Sequence, residues 1–494
     1  MPANFSCNLT TPATALPHCW EHTVGSDHAL MALRGDWQAQ LRKAHDELGF
    51  RHVRFHGILD DDVGTLVCER DRLIYSFFNS DQIFDFLLSI GMKPFIELSF
   101  MPRALASGDV TVFKYRGNVT PPRDYTKWGT FINKLVSHWV ERYGLKEVRQ
   151  WFFEVWNEPN LKSFWTGEQA DYFKLYKSTA FAIKTVDQKL RIGCPATANN
   201  AWIADFLGFC ETNNIPPDFV STHHYPTDAF GKPGDDTETR LSKSRRSVLR
   251  EEAQGARALA LDKPLYYTEW SSSSNSRDPM HDEAYAAAFA VKTNLEAAGL
   301  VEGYSYWTFS DIFEENYFPS TPFHGGFGLL NLYGIAKPAY RAYQLLYRLG
   351  DKRLAVDGTH STVDVWVIRG DDEIAVYCTN WSLPRHPIAN ERIRISLIHA
   401  PPPAGATITR IDARHTNVKK AWIKMGAPEY PLARQVRQLH AASELKPSPL
   451  SCKYADSVIG FEFTMPPQAV AAVTFELKSH RKPRHSNMQH EPFS

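Results

Sequence analysis

The sequence predicts an α/β protein: a (β/α)8 TIM barrel followed by a C-terminal β-sandwich. Three observations predict it. From His18 to about Tyr347, short bulky strands alternate with amphipathic helices, the pattern of a parallel βα barrel. Eight strands can be placed in that stretch, the number with which a TIM barrel closes. After about Gly350 the texture changes to short period-two strands separated by turn residues, the pattern of a sandwich. The boundaries expected are an N-terminal arm over 1–16, the barrel over 17–348, the sandwich over 349–478 and a disordered tail over 479–494, where Lys, Arg, His and Pro accumulate.

In order, strand one is expected near Cys19-Trp20-Glu21-His22. Helix one then runs from about Asp36, a plausible N-cap, to Leu48, with Gly49 as the C′ stop. Strand two is His52 to Gly57 and strand three Lys93 to Leu98, with an amphipathic helix over Asp81 to Ile90 between them. The clearest helix covers Asp124 to Tyr143, where Trp128, Phe131, Ile132, Leu135, Val136, Trp139, Val140 and Tyr143 recur at helical spacing. Strand four is the aromatic run from Trp151. Helix 168–187, strand Arg191 to Cys194 and a helix from about Ala201 to Thr212 follow. Strand six is Phe219 to Pro226, with a polar loop over Thr227 to Thr239 and a helix over 243–258. Strand seven ends at Glu269, helix 282–298 leads to strand eight, Gly303 to Thr308, and a long acidic, aromatic loop precedes a last helix from Lys337-Pro338. In the second domain strands are expected around Thr362–Ile368, Glu373–Tyr377, Arg392–Leu397 and Ala472–Leu477, with a short helical insertion on the sandwich over Pro431 to Ala442.

Composition narrows the function. The 494 residues are 43% hydrophobic, enough for a large core. Lys+Arg and Asp+Glu balance at 55 each, so nothing favours a nucleic acid or an anionic membrane as partner. Seven scattered cysteines without a CxxC point away from zinc and from a disulfide framework. The start lacks a basic region and an apolar core of a signal peptide, and no run of about 18 apolar residues occurs. A cytoplasmic location is the expectation. Asp60-Asp61-Asp62 lacks the spaced pattern of a calcium loop and reads as helix capping or a solvated loop.

The chemistry concentrates in Trp151-Phe152-Phe153-Glu154-Val155-Trp156-Asn157-Glu158-Pro159-Asn160. A buried aromatic strand breaks into a polar turn, because Pro159 cannot donate a ladder hydrogen bond and pushes Glu158 towards an extended conformation. Glu158 then sits at a strand end against aromatic walls, surroundings that suit a general acid. Leu265-Tyr266-Tyr267-Thr268-Glu269-Trp270 repeats the design. Two carboxylates at the ends of strands four and seven of one barrel would flank a sugar pocket. A nucleophilic Glu269 must stay ionised, and His223 and Tyr225, two apart on strand six, can supply hydrogen bonds from one side. His224 points the other way. Asn157 can donate to a sugar hydroxyl next to the anomeric carbon.

Asn157-Glu158-Pro159-Asn160, His223-His224-Tyr225-Pro226 and Thr268-Glu269-Trp270 resemble clan A glycoside hydrolases. With Val53-Arg54-Phe55-His56-Gly57 and His324-Gly325-Gly326-Phe327-Gly328-Leu329, the chain resembles the β-xylosidase branch of family 39, which also holds α-L-iduronidases. The resemblance implies Glu158 as acid/base and Glu269 as nucleophile of a retaining exo-β-1,4-xylosidase acting on xylobiose and xylo-oligosaccharides. It implies that the N-terminal arm is a strand packed on the second domain. His223 and Tyr225 would lie beside the nucleophile, His56 would touch the sugar and Trp307 would floor the pocket. Glu314 and Glu315 would grip sugar hydroxyls, which suits a neutral pentose and would repel a uronic acid. Arg54 would orient the carboxylates. No metal or organic cofactor is implied. L-Arabinose resembles D-xylose closely enough for side activity on α-L-arabinosides. The alternatives are a uronic-acid hydrolase of the iduronidase kind and a non-catalytic sugar-binding barrel.

Overall fold

The computed structural model describes residues 2–70, 72–227 and 236–477. Eight parallel strands close into a barrel: Thr23–His28, His52–His56, Lys93–Glu97, Phe152–Glu154, Arg191–Thr197, Phe219–His223, Leu265–Trp270 and Gly303–Tyr306. They neighbour each other in chain order, and the eighth pairs with the first through Tyr306 and Val24. Phe95, Phe152, Phe219 and Tyr266 form a buried aromatic layer inside the barrel, contributed by strands three, four, six and seven. That layer fills the barrel, so functional side chains are confined to the carboxyl ends of the strands.

Strand one is not where its aromatic character suggested. Cys19–Glu21 is a single 3-10 turn, with Cys19 and Trp20 buried, and the strand begins at Thr23. Its sequence, Thr-Val-Gly-Ser-Asp-His, hides a strand buried at all six positions. A side chain is excluded at Gly25, since a Cβ there would come within 2.5 Å of the Trp307 ring. The first helix, Gly35–Leu48, has Arg34 rather than Asp36 at the N-cap position. Asp36 lies in the first turn and pairs with Arg34 at 2.7 Å. Gly49 ends the helix in the left-handed region, at a φ of 75°. Helix Tyr125–Tyr143 is capped by the Asp124 carboxylate, which accepts from the N–H groups of Thr126 and Lys127.

Two further sheets face each other across a core that includes Phe5, Val367, Val376, Ile395, Phe461 and Val473. One has four strands, and in it Ala3–Asn8 runs parallel to Glu391–Ile398. The other has seven, centred on Glu373–Asn380 and Ala469–Leu477. Strands Pro403–Ile411 and Val458–Met465 and helix Val418–Lys424 were not anticipated from the sequence. The seven-stranded sheet shares the barrel's core through Trp366, Tyr377 and Trp381. Arg246 ties the two units together, bonding Asp364 and the carbonyls of Thr362 and Trp381.

The helical insertion lies elsewhere than expected. Helix Ala433–Ala442 and helix Val418–Lys424 leave the sandwich and pack around Phe323 and Ile335 of the segment after strand eight. Trp422 meets Phe323 at 5.5 Å between ring centres. The second domain thus buttresses a loop that belongs to the functional end of the barrel. The tail expected to be disordered, and most of the loop after strand six, lie outside the described residues.

Candidate active site

Strand two sends one guanidinium into the centre of the barrel mouth. Arg54, fully buried, reaches four groups at once: Glu97 at 2.7 Å, Glu154 at 2.6 Å, Glu269 at 3.0 Å and the side-chain oxygen of Asn157 at 3.0 Å. These partners come from the ends of strands three, four and seven and the turn after strand four. Arg54 is the cation that makes a cluster of buried carboxylates tolerable. Replacing it with methionine, close to it in reach but uncharged, is expected to lower stability by about 3–5 kcal/mol. Thermal unfolding checks this; an unchanged midpoint would show that the carboxylates do not depend on it.

Glu269 receives Arg54 Nη1 on one oxygen and the Tyr225 hydroxyl, at 2.9 Å, on the other. Burial and the Glu269 charge push the Tyr225 phenol well above its usual range, so it stays a donor. His56 Nε2 stands 3.8 Å from Glu269 and 3.7 Å from Glu315, while its Nδ1 bonds Glu97 at 2.7 Å. Burial pulls His56 down, but Glu97 and Glu269 outweigh it and hold the ring above the ordinary histidine range.

Glu158 does not adopt the extended conformation expected of a residue before proline. The strand ends at Glu154, and the turn places Trp156 at a φ of 76° and Glu158 at a φ of 43°. Such left-handed values in non-glycine residues cost free energy and are held by their surroundings. Here the Glu158 N–H is bonded to the Ala196 carbonyl at 2.8 Å, and the Trp156 indole N–H to the Phe164 carbonyl at 2.8 Å. The result turns the Glu158 carboxyl across the barrel towards strand six. Its Oε1 lies 3.0 Å from His223 Nδ1. One oxygen of Glu158, one of Glu269 and a ring nitrogen of His223 all fall within 4.8 Å of one another.

Asn157, Glu158, Tyr225, Glu269, His56, Trp307 and Glu315 line one cavity of about 300 Å³, together with Phe113, Phe164, Asn199, Ser274 and Phe327. With its oxygen taken by Arg54, the Asn157 amide is left to donate. The Trp307 ring packs against His56 at 4.8 Å between centres. His223 lies beneath the cavity, bonded to Glu158 and Thr268. Desolvation, together with the charges of Asp27, Glu269, Glu158 and Glu97, raises Glu315 well above the usual carboxylate range.

Two expected site residues depart from the sequence reading: His223, expected to bond Glu269, stands 3.8 Å from it and bonds Glu158 instead, beneath the cavity, and Glu314 lies outside the cavity. Glu314 turns to His28, whose Nδ1 it meets at 3.0 Å. His28 also faces Asp60 and Asp62 at 3.3 Å each. Burial opposes a charge on this ring, but the bonds to Asp60, Asp62 and Glu314 prevail and raise its pKa to about 12. Asp60 is therefore neither solvated nor a helix cap: it is buried, and its other oxygen accepts the Phe100 N–H at 2.9 Å. This ion cluster fixes Glu314 so that its neighbour faces the cavity.

The segment carrying both residues is anchored twice more. Lys337 is buried between Asp282 at 2.9 Å and Asp311 at 2.7 Å. The glycines of His324–Leu329 wrap this pair: Gly325 donates to Asp282 and Gly328 to Asp311. Gly325 has a φ of 79°, and a Cβ there would meet the Asp278 backbone at 2.5 Å. Across the cavity, the Lys114 N–H bonds the Glu315 carbonyl at 2.7 Å, joining the loops after strands three and eight into one wall.

Glu97, Glu154 and Thr268 were not singled out as site residues from the sequence. Their signal was present: a single acid ends each otherwise apolar strand, Phe95-Ile96-Glu97 and Phe152-Phe153-Glu154.

A barrel whose mouth holds two carboxylates this close, beside a sugar-sized polar cavity with aromatic walls, defines a glycoside hydrolase. Residues 7–453 match the glycosyl hydrolases family 39 model, and the chain belongs to that family. It is 49% identical over 463 residues to a β-xylosidase of Caldicellulosiruptor saccharolyticus, covering 92% of this chain and 95% of that protein. A β-xylosidase of Geobacillus stearothermophilus is 38% identical over 439 residues, covering 86% of each. The crystal structure of a monomeric β-xylosidase from Caulobacter crescentus CB15 superposes with a TM-score of 0.84 at 35% identity, covering 97% of this chain and all of that one. Among the described residues, no helix is long and apolar enough to cross a membrane.

Proposed function

We propose that this chain is a retaining, exo-acting β-xylosidase that releases D-xylose from the non-reducing end of xylo-oligosaccharides. Glu158 is its general acid and base and Glu269 its nucleophile. The observation that carries this reading is that one oxygen of Glu158 and one of Glu269 lie within 4.8 Å of each other. Retaining glycosidases hold the pair about 5–5.5 Å apart, whereas inverting ones leave about 6.5–9.5 Å for a water. Arg54 and Tyr225 each donate to one oxygen of Glu269 and so fix the carboxyl for attack. In the first step Glu158 protonates the glycosidic oxygen while Glu269 bonds to the anomeric carbon. In the second, Glu158 takes a proton from the water that displaces Glu269. Acid, base and nucleophile are all supplied by these two side chains, so the steps call for no metal or organic cofactor.

The relatives named as β-xylosidases support xylose as the sugar. So does the cavity, whose described lining residues include Glu315 but no Lys or Arg to pair a uronate. In this reading Asn157, His56 and Glu315, which line the cavity, hold hydroxyl groups, and Trp307 stacks under the ring. Phe113 and Glu315, from the loops that the Lys114–Glu315 bond joins, line the cavity together, and a pocket walled in this way supports exo action.

Hydrolysis of p-nitrophenyl β-D-xylopyranoside, with the anomer first released followed by NMR, tests the reading. The β-anomer is expected. Release of the α-anomer would exclude retention, and cleavage of an iduronide but not the xyloside would move the substrate to a uronic acid. Sugar binding without hydrolysis of any aryl glycoside would leave a non-catalytic barrel. The corresponding α-L-arabinoside reads side activity in the same assay.

A further inference from the structure

Beneath Glu158 runs a buried chain of hydrogen bonds that the two-carboxylate mechanism does not use. His223 Nδ1 faces Glu158 Oε1 at 3.0 Å, and its Nε2 faces Thr268 Oγ1 at 3.0 Å. The Thr268 hydroxyl lies 2.8 Å from Glu154 Oε1, and Glu154 Oε2 is held by Arg54 Nε at 2.6 Å. His223, Thr268, Glu154 and Arg54 are all buried.

The direction of each bond follows from what each group can donate. Glu154, paired with Arg54, is an acceptor only. Thr268 has one hydroxyl proton, and it goes to Glu154. Its oxygen can then only accept, so the proton of the imidazole must sit on Nε2. A neutral imidazole with a proton on Nε2 has a bare Nδ1. Burial lowers His223 to about 4, against the opposing pull of Glu269, so the ring carries a single proton at neutral pH. A bare nitrogen 3.0 Å from a carboxyl oxygen is favourable only if that oxygen bears a proton.

We propose that Glu154 and Thr268 are positioning residues that lock His223 in its Nε2–H tautomer, so that its Nδ1 keeps Glu158 protonated until substrate arrives. The proposal rests on the reading of Glu158 as the acid. The other tautomer would donate to Glu158 and favour its carboxylate, disarming it. When substrate binds, the Oε1 proton turns from Nδ1 to the glycosidic oxygen and leaves with it as the bond to the anomeric carbon breaks. The carboxylate then faces a nitrogen lone pair, and it regains a proton from the attacking water. His223 neither gains nor loses one. The same contact thus favours both the loaded acid and the strong base.

Thr268→Val removes the hydroxyl at nearly constant volume and frees the imidazole to reverse. Loss of acid assistance is felt by poor leaving groups. The kcat/KM for phenyl β-xyloside is expected to fall about 10- to 100-fold more than that for the dinitrophenyl glycoside. The basic limb of the kcat/KM profile should move down by about one pH unit, because Glu158 loses a contact that favours its protonated form. The charged and titratable groups near Glu158 and His223 (Glu269, Tyr225, Glu315, Arg54, Glu97 and Glu154) are unchanged by this substitution, although Glu154 loses the Thr268 hydroxyl as a partner. Thr268→Ser, which keeps the hydroxyl, should restore both properties. Equal losses on the two substrates, or an unmoved basic limb, would overturn the relay.

Should the valine variant not fold, nitrogen NMR of histidine-labelled wild type decides. The His223 signals, identified by their loss in His223→Gln, should show Nδ1 without a proton; a protonated Nδ1 overturns the proposal. Glu158→Ala separates the two levels. If it lacks a leaving-group split, the acid reading fails and takes the relay with it. If it shows the split and Thr268→Val does not, only the relay fails.

Discussion

Glu269→Ala is expected to lose β-xyloside hydrolysis by about 10⁴-fold or more, the scale on which removal of a catalytic nucleophile acts. The geometry predicts more than loss. Arg54 Nη1 and the Tyr225 hydroxyl aim the two oxygens of Glu269 from strand two and from the end of strand six. Truncation leaves a gap on the face of the anomeric carbon opposite Glu158. Azide fits such a gap and needs no proton removed, so it should restore turnover and yield α-xylosyl azide, the inverted product. Arg54 keeps Glu97, Glu154 and Asn157 as partners, so the variant should remain folded. Rescue giving the β-azide, or a nearly normal rate without azide, would remove Glu269 from the role.

Much of this site was legible in the sequence because its signals are local. Asn157-Glu158-Pro159 and Thr268-Glu269-Trp270 each pair an apolar strand with an acid, and a reader who knows strand ends form the barrel mouth can bring them together. Strand one was misplaced because its pattern answers to a distant residue: Gly25 exists for the Trp307 ring, not for its own strand. Glu314 and Glu315 look equivalent in sequence. What divides them is His28, buried 286 residues earlier and paired with Asp60 and Asp62. Adjacent positions on an irregular loop face opposite ways, and no periodicity tells which way. The helical insertion was legible as a helix, but its docking on Phe323 required the fold. Glu97, Glu154 and Thr268 were passed over for a related reason. Each touches other protein groups rather than the cavity, and nothing local distinguishes such a strand-end group from one that meets substrate.

Glu158→Ala is expected to divide substrates by their leaving groups, and that division identifies the role. A dinitrophenolate departs without a proton, so the first step should survive while the second, deprived of its base, becomes limiting. The observable result is a burst of dinitrophenol, followed by a low kcat accompanied by a low KM as the xylosyl-enzyme accumulates. Xylobiose needs protonation of its departing oxygen and should lose about 10²–10⁴-fold in kcat/KM. Azide, attacking the covalent intermediate from the side vacated by the carboxyl, should restore kcat on the activated substrate and give β-xylosyl azide. The opposite configurations from the two variants have one source. Glu158, in the turn after strand four, and Glu269, on strand seven, bring carboxyl oxygens within 4.8 Å of each other, and in the proposed mechanism they act on opposite faces of one anomeric carbon. Equal losses on xylobiose and the dinitrophenyl glycoside, without a burst, would assign Glu158 to binding instead. The positive φ of Glu158 sharpens the point. Its backbone conformation is unfavourable and is fixed by the bond to Ala196. That conformation places one carboxyl within reach of both His223 and the cavity, as the proposed acid/base role needs.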